Sequence, residues 1–125
     1  MKILLVLLMF LNAALFVFGA VQHAGVAIGR FHEPRIIPAS IVEGICALSL
    51  VWGAIAVLSP STTEWRMALI GNLIALGGVL LGIVALAMGA GPRTASNDLY
   101  HRLMLILIAA SLLVLFLGRS ALNRR

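Results

Sequence analysis

The chain has 125 residues, of which 62% are hydrophobic and 10% charged, and its formal net charge is +5. A soluble domain of this size needs roughly a quarter to a third of its surface in charged residues, so this composition excludes a soluble fold. The basic residues lie at the ends of apolar segments or in short loops, where they serve topology and lipid headgroups, and this excludes a nucleic-acid-binding protein. The chain is also too short for two domains, and we expect one transmembrane domain over residues 1–125.

The first apolar segment carries no charge between Lys2 and Arg30 and predicts a helix over residues 3–29. A run of about 20 apolar residues is what a bilayer core requires of a helix. The segment also resembles a signal peptide, but the apolar run continues beyond Ala20, the one plausible cleavage point. We therefore interpret it as a retained transmembrane helix.

The second predicted helix covers residues 40–58 and follows a polar loop with two prolines, Pro34 and Pro38. These prolines prevent a continuous helix through the loop. Ser40 and Glu43 have the spacing of a capping box, in which each side chain bonds an amide at the helix start. Glu43 is thus either a helix cap or the acidic member of a site, and both interpretations stay open here.

The third predicted helix, over residues 65–89, carries a stripe of small residues at helical spacing. The stripe consists of Gly71, Ala75, Gly78, Gly82, Ala85 and Gly89. In lipid, close backbone approach along such stripes brings helices together, either inside one monomer or between copies. The fourth predicted helix covers residues 97–118. Short loops favour antiparallel neighbours, so the predicted fold is all-α, an integral membrane four-helix up-down transmembrane bundle.

The distribution of Lys and Arg predicts the topology. The side with the termini carries Lys2, Arg66, Arg119, Arg124 and Arg125, and the other side carries Arg30, Arg35, Arg93 and Arg102. The positive-inside rule then places both termini in the cytoplasm.

Polar side chains gather on the side opposite the termini, and they supply the candidate site. The candidate ligand-binding residues are His23, Arg30, Arg35, Glu43, Asn97, Asp98, Tyr100 and His101. Ionisable groups within a membrane are costly and indicate function by default. With a rise of ~1.5 Å per residue, His23, Glu43 and His101 fall at similar depths on three helices. We therefore predict a polar mouth formed by the 30–43 loop and the start of the fourth helix.

Three chemistries are open for this group of residues. In the first, His23 and His101 are axial ligands of a b-type haem, and Arg30 or Arg35 meets a propionate. In the second, the two histidines and Glu43 bind zinc or iron. In the third, Glu43 couples a proton or cation to transport, which requires at least a dimer because four helices cannot enclose a pathway.

A purely structural interpretation of the fourth helix is also open. His101 can bond Asp98 or Asn97, which precede it by three and four residues, and Asp98 can pair with Arg102 at the i,i+4 spacing. In this interpretation His101 has a structural role in the fourth helix and is not part of a binding site.

The layout of four helices, short loops and a polar turn after the first helix resembles the DoxX-like group of small bacterial membrane proteins. The resemblance covers the whole chain and implies a protein of the prokaryotic cytoplasmic membrane, often one that works beside a redox partner. The layout differs from that of the small multidrug-resistance transporters, which carry their essential glutamate in the first helix, whereas Glu43 opens the second helix here.

The function expected from these observations is an accessory or small-ligand-binding membrane bundle, surrounded by the lipid bilayer and assembled with further copies or a larger membrane complex. One alternative is a redox component that binds b-type haem or quinone. The other is an ion-coupled small transporter that acts as an oligomer. Because no serine or cysteine lies in a nucleophile motif, no catalytic residue is predicted and an enzyme is the less favoured class.

Overall fold

Helices make up most of the part of the chain that the computed structural model describes, residues 1–29, 33–59 and 62–122. They are α1 (Lys2–His23), α2 (Ile37–Leu58), α3 (Glu64–Ala87), α4 (Ala95–Leu117) and the short α5 (Arg119–Leu122). The first four are each long and apolar enough to cross a membrane. The predicted all-α four-helix bundle is confirmed, and the chain is an integral membrane protein.

The core of the bundle lies along the line where the four long helices meet. α1 packs most extensively against α2 and α2 against α3, while α4 lies against both α1 and α3. The apolar side chains buried there are Leu5, Val6, Met9, Ala13, Phe16, Cys46, Ala47, Leu50, Ala54, Val57, Ala68, Ala75, Val79, Met104, Ile108 and Leu115. Most other large apolar side chains point outwards, as expected of helices whose solvent is lipid.

The small-residue stripe of α3 packs inside the monomer. A Cβ atom added to Gly71 would lie 2.5 Å from the carbonyl oxygen of Ser49 on α2, and one added to Gly78 would overlap the sulfur of Cys46 on the same helix. Glycine is therefore required for the close approach of α2 and α3. Of the two locations predicted for the stripe, the structure shows the monomer interior at these positions.

α1 and α3 both end in a Schellman motif built on a glycine. Gly25 has φ +97° and Gly89 has φ +76°, a left-handed conformation that glycine adopts without strain. After α1, the amide of Gly25 donates to the carbonyl oxygen of Gln22 over 2.8 Å, and the amide of Val26 donates to that of Val21 over 3.2 Å. These bonds satisfy carbonyls at the helix end, so α1 stops well before the predicted end at residue 29.

α2 begins earlier than predicted, at Ile37, with Pro38 in its first turn. Proline is tolerated there because the first amides of a helix have no intrahelical partner. No side chain caps this helix start. Instead, the hydroxyl of Ser40 donates to the carbonyl oxygen of Ala20 over 2.7 Å. The capping box predicted for Ser40 and Glu43 is therefore not formed, and the serine joins α2 to α1.

A cluster of charged and aromatic side chains joins the helices at the end of the bundle that carries Met1. The ammonium of Lys2 lies 2.5 Å from Oε2 of Glu64, which is buried. The rings of Trp65 and Phe116 meet edge to face at 5.9 Å, and the guanidinium of Arg119 lies 4.7 Å above the Trp65 ring. These contacts fix the relative height of α1, α3 and α4.

Candidate functional site

A buried, hydrogen-bonded pair of ionisable side chains joins α1 and α2 at the opposite end of the bundle. His23 is the last residue of α1 and Glu43 lies in the second turn of α2. Nδ1 of His23 lies 2.8 Å from Oε2 of Glu43, and the two residues are only 4% and 7% exposed. An ionised carboxylate can only accept hydrogen bonds, so Nδ1–H of the imidazole donates. Glu43 thus pairs with His23 of α1 and does not cap α2.

Tyr100 of α4 completes this polar cluster by meeting Glu43 over Gly19. Oε1 of Glu43 and the hydroxyl oxygen of Tyr100 each lie 2.6 Å from the place that a Cβ atom on Gly19 would occupy. The Tyr100 hydroxyl also donates to the carbonyl oxygen of Leu15 over 3.4 Å. Gly19 therefore provides the space in which polar groups from α2 and α4 reach α1.

His101 lies beside this cluster, against α3. Its Nδ1 lies 2.9 Å from the carbonyl oxygen of Asn97, and because a carbonyl only accepts, Nδ1 carries a proton. The other ring nitrogen, Nε2, packs against Gly82 of α3, where an added Cβ would overlap it. The ring also meets that of Tyr100 edge to face at 5.5 Å. His101 therefore makes the contact with Asn97 that its spacing allows, and its Nε2 faces α3.

A cavity of about 340 Å³ lies between the four long helices and is walled on one side by these polar groups. Small-molecule sites have volumes of roughly 300–1,000 Å³. The lining residues are Phe16, His23, Ile36, Pro38, Ala39, Val42, Glu43, Gly78, Val79, Leu81, Gly82, Ala85, Leu86, Ala90, Gly91, Asn97, Tyr100 and His101. Most of these are apolar, so the cavity combines an apolar wall with a small group of polar atoms.

A glutamate of the predicted 30–43 mouth, which is not among the candidate ligand-binding residues, holds two connections of the bundle together. The buried carboxylate of Glu33 accepts hydrogen bonds from the hydroxyls of Thr94, at 2.9 and 3.1 Å, and of Ser96. Thr94 Oγ1 also accepts from the amide of Asn97 over 3.1 Å and so caps α4. Glu33 thereby ties the connection between α1 and α2 to the start of α4. Its partners lie more than 60 residues away along the chain, so no local spacing could indicate them.

Comparison with protein-family models, with curated proteins and with solved structures finds no match. The predicted resemblance to the DoxX-like group therefore stays a prediction.

The structure brings some of the predicted site residues together and separates others. His23, Glu43, Asn97, Tyr100 and His101 all line the cavity. Arg35 is exposed, and its side chain lies alongside Gly25. Asp98 pairs with the exposed Arg93, whose Nε lies 2.9 and 3.0 Å from its carboxylate oxygens, and not with Arg102 as the i,i+4 spacing suggests. Arg30 lies outside the described residues.

The same geometry bears on metal binding. Within the described ranges, no group of three or more His, Cys, Asp or Glu side chains is placed to hold a metal ion. His23 and Glu43 are in contact, while His101 directs one nitrogen to its own helix and the other to α3. A hydrogen-bonded imidazole–carboxylate pair can share or transfer a proton, and this is the chemistry that the cluster offers directly.

Proposed function

We propose that this integral membrane protein binds a small, uncharged molecule that has an apolar body and one polar end. The observation that carries the proposal is the cavity of about 340 Å³ with apolar walls and the buried His23–Glu43 pair on one side. Ligand sites of this kind are mostly apolar, with a few polar groups that fix orientation.

The charges around the cavity support an uncharged ligand. The carboxylate of Glu43 already has a hydrogen-bond partner in His23, so it is not free to pair with a cationic ligand. A charged ligand would lose its hydration at membrane depth without a counter-charge, which is costly. The polar end of the ligand would meet Asn97 and the histidines, and its apolar body would lie along side chains such as Phe16 and Leu86, which line the same cavity.

A cavity-filling variant with a matched control tests the proposal. Ala85 lines the cavity, while Ala109 on α4 is exposed on the outer surface of the bundle. The probes are decylubiquinone and 1-decanol, two uncharged molecules with an apolar tail, added to the protein in nanodiscs and detected by native mass spectrometry. We expect the wild type and Ala109→Phe to retain at least one probe and Ala85→Phe to lose it. Retention by neither wild type nor control, or equal retention by all three proteins, would contradict the proposal.

Two other functions stay predictions: the haem version rests on His23 and His101, and the transport version rests on Glu43. A redox component with b-type haem predicts a Soret band in the visible spectrum of the purified protein, and a spectrum without this band eliminates that version. An ion-coupled transporter predicts that Glu43→Gln abolishes proton-linked flux in proteoliposomes, because glutamine cannot release a proton. Unchanged flux would remove this role from Glu43.

The orientation of the protein belongs to the proposal as well. We place both termini in the cytoplasm of a prokaryotic cell, supported by the positive-inside rule and by five Lys and Arg residues on the terminal side of the sequence against four on the other. We also propose that the bundle works with a second copy or a larger membrane complex. Fusions of alkaline phosphatase and of green fluorescent protein to the C-terminus test the orientation, since a cytoplasmic terminus gives fluorescence without phosphatase activity.

A further inference from the structure

Three polar side chains are completely buried in the middle of the bundle, away from the cavity. Asn12 of α1, Asn72 of α3 and Ser111 of α4 are each 0% exposed, and none of them lines the cavity. We call these three residues the polar layer. Buried polar groups in proteins are almost always hydrogen-bonded, so each member of the layer needs a partner.

Two members of the polar layer lie on α3 and α4, two helices that are in contact. Gly82 of α3 packs against His101 of α4. Asn72 precedes Gly82 by ten residues and Ser111 follows His101 by ten. Because the two helices run in opposite directions, both residues lie ~15 Å from that contact, towards the end with the termini. Asn72 and Ser111 are therefore at the same depth.

Asn12 is at this depth too. Its helix meets α2 where Met9 reaches Gly53, and Gly53 packs against Ala68 of α3, so Met9 and Ala68 are at similar heights. From there, three residues lead to Asn12 on α1 and four to Asn72 on α3. Since α1 and α3 run in the same direction, the two side chains differ in height by only ~1.5 Å along the helix axes.

Each member of the polar layer has an oxygen atom without a partner among the described residues. The amide nitrogens of Asn12 and Asn72 donate to the carbonyl oxygens of Leu8 and Ala68, both over 2.9 Å. The carbonyl acceptors fix the orientation of these side-chain amides, because the reversed amide would set oxygen against oxygen. Oδ1 of both asparagines and Oγ of Ser111 are left buried with no hydrogen-bond partner in this part of the chain.

We propose that the polar layer binds a water molecule between α1, α3 and α4. Water can donate one proton to each asparagine oxygen and accept the hydroxyl proton of Ser111, which gives three hydrogen bonds, the usual number for a buried water. A cation fits this site less well. The three oxygens are all neutral, whereas Ca²⁺ and Mg²⁺ take six or more ligands that include carboxylates, and a bare charge at this depth would be uncompensated.

This water site has a consequence for the fold that is separate from ligand binding in the cavity. Without the bound water, three polar groups at the same depth would lack hydrogen bonds in a region that bulk water does not reach. With it, α4 is held at one height relative to both α1 and α3. The contacts of Glu64, Trp65 and Arg119 already set this height at the end with the termini, and the water site would set it a second time in the middle of the bundle.

Nuclear magnetic resonance of the full-length, ¹⁵N-labelled protein in nanodiscs tests the site. Rotating-frame Overhauser spectra separate a bound water from hydrogen exchange, because the two effects have opposite signs. We expect cross peaks of the Overhauser sign between water and the side-chain amide protons of Asn12 and Asn72. In Asn72→Leu, leucine fills the space beside Asn12, and the cross peak of Asn12 should disappear. Ser111→Ala removes one hydroxyl with little risk to folding and should weaken both cross peaks.

Ser49 provides the control, because its hydroxyl lies near carbonyl oxygens, 2.8 Å from that of Cys46 and 3.3 Å from that of Gly71. Ser49→Ala should leave the cross peaks of both asparagines unchanged. The proposal is overturned if neither asparagine shows an Overhauser contact with water, or if Ser111→Ala has no more effect than Ser49→Ala. Side-chain resonances that shift when sodium replaces N-methylglucamine would equally overturn it, in favour of a cation.

Discussion

Removing one member of the buried His23–Glu43 pair should destabilise the bundle, and removing both should not. Their nitrogen–oxygen distance is 2.8 Å, and the residues are 4% and 7% exposed. Loss of one partner from such a pair costs about 3–5 kcal/mol in soluble proteins, because it leaves an uncompensated buried group. In detergent, the unfolded helices find other polar partners, which lowers such values. We therefore expect Glu43→Leu and His23→Leu each to cost about 2 kcal/mol.

The double variant carries the sharper expectation. With leucine at both positions no polar group of the pair is left unsatisfied, so the free energy of unfolding should return to within about 1 kcal/mol of the wild type. The coupling energy of the double-mutant cycle, which is the sum of the two single costs less the cost of the double variant, is then about 3–4 kcal/mol. Glu43→Gln keeps an acceptor for the imidazole and should cost only about 1 kcal/mol.

Unfolding by titration with sodium dodecyl sulfate in mixed micelles, followed by circular dichroism, measures these free energies. Ile45→Leu, on the exposed face of α2, controls for leucine in this helix and should stay within about 0.5 kcal/mol of the wild type. If the costs of the two single variants simply add in the double variant, the pair is not energetically coupled. That result would refute the reasoning from burial and distance.

The same titration tests two further predictions. Gly71→Ala should cost about 1–3 kcal/mol, because the new methyl group would lie 2.5 Å from the carbonyl oxygen of Ser49, an atom of the backbone that cannot turn aside. The control is Gly77→Ala, because nothing lies within 4 Å of its Cβ position. It should be neutral or stabilising by up to about 1 kcal/mol. Equal effects of the two glycine variants would argue against close packing of α2 on α3. Lys2→Met should cost about 1–2 kcal/mol because it removes the ammonium beside a buried carboxylate. Arg93→Met breaks an exposed pair and should cost less than about 1 kcal/mol. A larger cost for Arg93→Met than for Lys2→Met would contradict the reasoning that the buried pair is the more important one.

The architecture of the chain was predictable because lipid imposes simple rules. Long uncharged segments can only be helices in a bilayer, and the four predicted helices correspond to α1–α4. The small-residue stripe likewise predicted close helix packing. The helix ends were less predictable, because Gly25 can be read either as a packing residue or as a helix terminator. Its left-handed conformation shows that it terminates α1.

The candidate site was predictable only in part, because sequence spacing identifies neighbours along one helix but not contacts between two helices. Ser40 and Glu43 have the spacing of a capping box, yet their partners are Ala20 and His23 on another helix. For the same reason Glu33 could not be assigned to Thr94. Depth along the membrane gave better guidance, because it placed His23, Glu43 and His101 at one end of the bundle before any contact was known.

The connectivity of the buried pair has a consequence for biogenesis. His23 and Glu43 are separated by 20 residues and belong to consecutive helices, as do Ala20 and Ser40. Contacts between consecutive helices form with little loop-closure entropy, and a chain emerging from the ribosome makes its N-terminal contacts first. The ionisable groups can therefore neutralise each other within the α1–α2 hairpin before α3 and α4 are synthesised. The hairpin would then enter the bilayer with its charges already paired, and the later helices would enclose the cavity around it.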